Sequence, residues 1–130
     1  MVKRPYLGEV PVPDRTFVAV GSALADLRSL PREVQRAFGG ALALAQEGVR
    51  PEGSVRFGEG LPRDILKFSE RHAGETYRMA YVAAFPDRIY LLHAFQKKSP
   101  SGRRTSRVDR DRIRERFMLV RRHQEAHERQ

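Results

Sequence analysis

Thr76-Tyr77-Arg78-Met79-Ala80-Tyr81-Val82-Ala83-Ala84-Phe85, then Pro86-Asp87, then Arg88-Ile89-Tyr90-Leu91-Leu92-His93-Ala94-Phe95-Gln96, decides the fold. The first run is rich in β-formers, and Pro86-Asp87 is a tight turn. The second run is nearly continuous in apolar residues, which predicts a strand covered on both faces. Immediately upstream, Ile65 to Arg71 alternates Ile65, Lys67, Ser69 against Leu66, Phe68, Glu70. His72-Ala73-Gly74-Glu75 between them reads as a hairpin turn. Two hairpins in succession predict an antiparallel meander.

Working outward, helices flank this meander. Phe17-Val18-Ala19-Val20 suits a short buried strand, broken by Gly21, with Ser22 placed to cap a helix. Leu24, Leu27 and Leu30 follow at three-residue spacing until Pro31. Pro31 in turn suits the opening of a second helix, in which Val34, Phe38, Leu42 and Ala45 form an apolar stripe. Gly39 and Gly40 weaken that helix unless they allow a neighbour to pack closely, and Gly48 suits its left-handed cap. Residues 49–63 carry three Gly and two Pro without periodicity and read as a loop. Lys97 to Arg104 is a basic loop. Thr105 or Ser106 then caps a last helix with Ile113, Phe117 and Val120 on one face. The expected order is β-α-α-β-β-β-α, an α+β fold with a small antiparallel sheet packed against helices. One domain spans residues 1–130, with 1–15 an extended lead-in and 121–130 prone to fray.

The chain has 130 residues, 40% hydrophobic, a size and composition suited to one globular domain. It has no cysteine, which excludes disulfides, thiol catalysis and thiolate-bound zinc. Residues 1–10 lack the apolar segment of a signal peptide. No apolar run approaches the roughly 20 residues needed to cross a bilayer. A cytoplasmic protein without membrane contact is expected. The formal net charge is +9, and it is uneven. From Lys97 onward there are twelve Lys/Arg against five Asp/Glu, and before it thirteen against eleven. A localised positive field attracts polyanions, of which nucleic acid is the commonest. An acidic protein partner remains an alternative at this level. Four scattered His without clustered acids predict no metal site and no cofactor.

Two blocks carry a family resemblance. Glu75-Thr76-Tyr77-Arg78-Met79-Ala80-Tyr81 resembles the "DTYRxxY" strand of the phage-derived HigB-like branch of the RelE toxin superfamily. Tyr90-Leu91-Leu92-His93-Ala94-Phe95-Gln96-Lys97-Lys98-Ser99 resembles that family's "YVLHAFQKKS" block, and Val20-Gly21-Ser22 through Leu30-Pro31 its "VGSxLxDLxxLP" opening. The likeness spans about residues 17–120. It implies a RelE-like fold and an endoribonuclease toxin acting on messenger RNA, usually at the ribosome. It also implies a cognate antitoxin, commonly a helix-turn-helix protein, through which alone operator DNA would be bound. A relative that has lost catalysis, binding nucleic acid or a protein instead, would keep the same fold. Thr105-Ser106 stands where the family often has Thr-Pro, and Leu66-Lys67-Phe68-Ser69-Glu70 stands where its strand often reads "LxE" with an acidic residue.

Metal-free RNA cleavage uses the neighbouring 2′-hydroxyl as nucleophile. A base must take its proton, cations must stabilise the phosphorane, and an acid must protonate the leaving 5′-oxygen. Arg78 lies mid-strand on the family's Tyr-Arg motif and is assigned to phosphate binding, since a guanidinium grips two phosphate oxygens. Its structural alternative is pairing with Glu70 or Glu75. Lys97 and Lys98 follow the last strand, and alternation sends one of them toward the site. Histidine as a residue type suits proton transfer near neutral pH, which makes His93 a candidate acid or base; the alternative is a satisfied core histidine. Tyr81, with Tyr77 and Tyr90, is a candidate for stacking on bases. Lys67 and Arg71 alternate along one strand face, and with Arg103, Arg104 and Arg107 are candidate contacts to RNA backbone.

Overall fold

The computed structural model describes residues 14–98 and 104–128. In chain order its elements are β1 (Thr16–Ala19), α1 (Ala23–Arg28), α2 (Arg32–Gln46), β2 (Val55–Arg56), β3 (Ile65–His72), β4 (Glu75–Phe85), β5 (Arg88–Gln96) and α3 (Arg107–Glu128). The five strands form one sheet in the order β1-β5-β4-β3-β2. The fold is α+β, with the expected meander at its centre. Ala73 and Gly74 make the two-residue turn between β3 and β4 with φ of 50° and 81°. Left-handed geometry at both positions matches the twist of the flanking strands.

Two features depart from the expected order. The sheet is not antiparallel throughout, because β1 pairs with β5 in parallel, Phe17 opposite Ile89 and Ala19 opposite Leu91. No hairpin joins these strands, so turn geometry does not set their relative direction. The segment expected to be all loop contains β2, whose Val55 and Arg56 pair antiparallel with Lys67 and Leu66. Two residues are too few to display an alternation.

Strand alternation divides the interior into two layers. Toward α1 and α2 point Tyr77, Met79 and Tyr81 of β4 and Ile89 and Leu91 of β5, meeting Leu27, Val34, Phe38, Leu42 and Ala45. Toward α3 point Ile65, Ala80, Val82, Tyr90, Leu92 and Phe95, meeting Ile113, Phe117 and Val120. β5 is thus covered on both faces, which explains its unbroken apolar run. The pairing of Ala80 with His93 but of Tyr81 with Leu91 leaves Leu92 as an extra residue. This bulge re-aims the following side chains.

The helix ends show how local sequence was used. Gly48, at φ 84°, closes α2 with Gly48 N–H to Ala45 O and Val49 N–H to Leu44 O, both 3.0 Å, a Schellman motif. Ser22 does not cap α1; its hydroxyl accepts from Arg116 Nη2 at 2.7 Å. Gly39 and Gly40 admit no close neighbour. Both are exposed, and a Cβ built on either would meet nothing within 4 Å. Ser106 caps α3, accepting from Asp109 N–H at 3.2 Å, while Thr105 serves elsewhere. Near the far end of α3 the Tyr90 hydroxyl lies 2.7 Å from His123 Nδ1 and donates to Gln124 Oε1 at 3.0 Å. No helix among the described residues is long and apolar enough to cross a membrane.

Candidate functional site

Arg78 belongs to the α3-facing set of β4, where Ala80 and Val82 are core residues. It is 7% exposed and sits opposite Ser69 of β3 and Phe95 of β5. Its Nη1 donates to Thr105 Oγ1 at 2.8 Å and lies 3.6 Å from Glu59 Oε2. Glu59 also accepts from Thr105, from its N–H at 2.6 Å and its hydroxyl at 3.1 Å. The expected alternatives, Glu70 and Glu75, are therefore not the arginine's carboxylate. Three distant segments converge on one buried cation.

Glu59 is held there by an unusual backbone. Gly58, Glu59 and Gly60 all have positive φ, at 72°, 55° and 79°. A left-handed conformation costs a non-glycine residue roughly 1–2 kcal/mol, and the bonds to Thr105 and the charge of Arg78 offset it. Sequence reasoning missed Glu59. The available signal was an acid isolated between two glycines.

Lys67 shares the Arg78 face, two places along β3 from Ser69, and its ammonium lies 5.4 Å from the Phe57 ring centroid. Burial, then the charge of Arg78, push its ammonium below the ordinary lysine value, while Glu59 acts in the opposite sense. Burial likewise pulls Arg78 down against Glu59, but a guanidinium stays charged. A permanent cation beside a lysine that gives up its proton more readily combines charge stabilisation with proton transfer.

An open cavity of about 390 Å³ is lined by Arg71, Glu75, Thr76, Gln96, Lys97 and Lys98 among others, with Thr76 two places before Arg78 on β4. Lys97 N–H bonds to Thr76 O at 2.8 Å. It prolongs the β4–β5 ladder and falls two places beyond Phe95, on the Arg78 side by alternation. Both lysines line this cavity. Arg104 and Arg107 are exposed at the approach to α3, Arg107 Nε lying 3.8 Å from Asp111. Arg103 lies outside the described residues.

Two expected site residues are buried and already hydrogen-bonded within the fold. Tyr81 is 1% exposed, on the α2 side, with its hydroxyl bonded to Ser54 Oγ. No face is left to stack on a base, and burial pushes its phenol up, against the lowering effects of Ser54 and Arg50. His93 is 3% exposed, with Nε2 2.7 Å from Asp109 Oδ1 and Nδ1 3.3 Å from Asp26 Oδ2. Its ring stacks on Phe95 at 4.7 Å. Arg116 completes the cluster, donating to Asp26 at 2.9 Å and to Leu92 O at 2.7 Å. The bulge at Leu92 turns His93 into a tie between α1, β5 and α3. Burial would raise Asp26 and Asp109. It is outweighed at Asp26 by Arg116 and His93, and at Asp109 by His93, Ser106 and Arg112, so both carboxyls lie below their ordinary value. Of the other tyrosines, Tyr77 is 7% exposed and Tyr90 is fully buried. Among the described residues no group of three or more His, Cys, Asp or Glu is arranged to hold a metal ion.

Residues 25–118, from inside α1 well into α3, match the family described as Phage derived protein Gp49-like. The chain belongs to that family. This Gp49-like family is one of RelE/HigB-like toxins, and the protein is accordingly a member of the RelE-like toxin superfamily. Among solved structures, it is similar to a double arginine-to-alanine mutant of the E. coli toxin RelE in the free state. Identity there is 19%, the TM-score is 0.50, and the match covers 67% of this chain and 87% of that one. At such identity the likeness establishes the shared fold. No curated protein matches the chain.

Proposed function

We propose that this Gp49-like protein is the toxin of a toxin–antitoxin pair and an endoribonuclease that cuts messenger RNA. The observation that carries the reading is a buried, permanently charged Arg78 beside Lys67, whose ammonium form is disfavoured. The 2′-hydroxyl of the nucleotide before the break attacks phosphorus. Lys67, in its neutral form, takes the hydroxyl proton. Arg78 meets the charge gathering on the phosphorane oxygens in a site partly withdrawn from water, where such an interaction is strong. Lys97 or Lys98 protonates the departing 5′-oxygen. The P–O5′ bond breaks, leaving a 2′,3′-cyclic phosphate and a 5′-hydroxyl. The side chains provide both the charge and the proton transfers, so the reaction calls for no metal ion.

Arg71, which lines that cavity, and the exposed Arg104 and Arg107 are assigned as contacts to the RNA backbone. Arg103, next to Arg104 in the chain, is assigned the same role. The ribosome is the expected setting, and the cytoplasm the expected compartment. A helix-turn-helix antitoxin is the expected partner and the expected route to operator DNA.

The test is expression of wild type and Arg78→Ala from a tightly repressed promoter, with growth scored and new messenger 5′ ends mapped. Growth arrest with new 5′-hydroxyl ends, both lost in a soluble and folded Arg78→Ala protein, is the expected result. Normal growth with intact messenger, from folded wild-type protein, overturns the nuclease reading and leaves a binding-only relative.

A further inference from the structure

On the opposite face of the sheet from Arg78 lies a second basic feature. Four arginines, Arg15, Arg50, Arg56 and Arg63, line a cleft of about 350 Å³ between the end of α2 and the β2–β3 edge. Asp64 is the one carboxylate in its lining, and the four guanidiniums take part in no ion pair among the described residues. Four like charges beside one carboxylate leave an excess that repels, and an anion in the cleft would relieve this.

Two of the four are pre-positioned by the backbone. Arg15 Nη1 donates to Ala83 O at 3.2 Å. Its own peptide is clamped to the α2 terminus, with Arg15 N–H to Gln46 O and Gln46 Nε2 to Arg15 O, both 2.9 Å. Arg50 Nε donates to Ser54 O at 3.3 Å. Each keeps further N–H donors beyond that anchor, since a guanidinium has five. Arg56 and Arg63 are exposed and make no side-chain hydrogen bond among the described residues. The floor is partly apolar, formed by Ala45, Leu66 and Ala83.

We propose that this cleft binds one phosphorylated nucleotide unit, its phosphate on the arginines and its sugar or base on the apolar floor. The volume lies at the low end of the roughly 300–1,000 Å³ of small-ligand pockets, a scale suited to one such unit. Guanidiniums grip a phosphate through two oxygens at once, and the apolar floor beside them favours a phosphate that carries a sugar and base over a bare peptide carboxylate. The phosphate can come from an RNA strand or from a free nucleotide. The cleft and the Arg78 site lie on opposite faces, so this inference does not rest on the nuclease reading.

The test uses the full-length protein and a short 2′-O-methyl RNA, whose blocked hydroxyl prevents cleavage, so that binding is read independently of any nuclease activity. Affinity is measured over a salt series for wild type and Arg56→Ala/Arg63→Ala, two side chains that the fold does not use. The double variant is expected to bind about tenfold or more weakly. Its salt slope is expected to fall by about 0.7 for each phosphate that is no longer neutralised. Parallel titrations with adenosine 5′-monophosphate identify the source. Variant-sensitive binding of the oligonucleotide alone supports an RNA strand, and equal variant-sensitive binding of the mononucleotide supports a free nucleotide. An unchanged affinity and slope in the double variant overturns the proposal. So does variant-sensitive binding of polyglutamate with none of either phosphate probe, which would assign the cleft to an acidic peptide.

Discussion

Arg78 Nη1 and Glu59 Oε2 stand 3.6 Å apart, with side chains only 9% and 14% exposed. Removing one member of such a pair strands the other. Arg78→Ala is expected to lower stability by about 2–3 kcal/mol, toward the lower end for a buried pair because exposure is not zero. Adding Glu59→Gln should recover a measurable part of that loss, and the non-additivity is read from urea midpoints of the two single variants and the double. Equal and additive losses would mean that the two charges do not interact.

The lowered ammonium of Lys67 has a pH signature. If its neutral form is the base, cleavage rises by about one log unit per pH unit below the Lys67 pKa. That rise flattens earlier than an ordinary lysine would allow, because burial and Arg78 favour the neutral form. Lys67→Gln should lose roughly 10²–10⁴-fold in rate, and the rise with pH should go with it. Glu59 raises the Lys67 value, so Glu59→Gln should shift the wild-type profile toward lower pH. A profile unchanged in both variants would remove Lys67 from the mechanism.

Acid should loosen the tie at His93. Asp26 and Asp109 are depressed below the ordinary carboxyl value of 3.8. A depressed carboxyl gives stability that is present above its unfolded value and is lost as pH falls through its folded one. Thermal midpoints should therefore drop below about pH 4. Asp26→Asn should be less stable at neutral pH and show a shallower acid decline. An identical decline in the variant would place the acid sensitivity elsewhere.

Gly39→Ala and Gly40→Ala should each stabilise by roughly 0.5–1 kcal/mol. Both positions are exposed, neither has positive φ, and neither Cβ would meet an atom within 4 Å. Chemical denaturation measures this directly. A loss of stability in either variant would overturn this expectation.

The meander was legible because β3, β4 and β5 are long enough to show alternation and are separated by turn residues. Arg78 stood out as a charge in a strand otherwise built for burial. The parallel docking of β1 was not legible, since local pattern carries no information on direction between strands about 70 residues apart. Nor was β2, at two residues. Glu59 is visible only through its bonds with Arg78 and Thr105, which lie 19 and 46 positions away. His93 and Tyr81 carry side chains suited to a site, but a bulge and a face assignment decide where those side chains go. Neither can be read from residue type.

Glu59, Arg78 and Thr105 also impose a timetable. The chain emerges from a ribosome in order, and domains generally fold as units once their parts are available. Until Thr105 has been made, Arg78 lacks the hydroxyl to which it donates. Until α3 has followed it, Ile65, Val82, Tyr90 and Leu92 lack Ile113, Phe117 and Val120, the α3 members of their cluster. A nascent chain carrying every strand of the sheet is thus still without its finished cationic centre. That centre is completed only after the whole sheet has been made, once Thr105 and α3 have followed it.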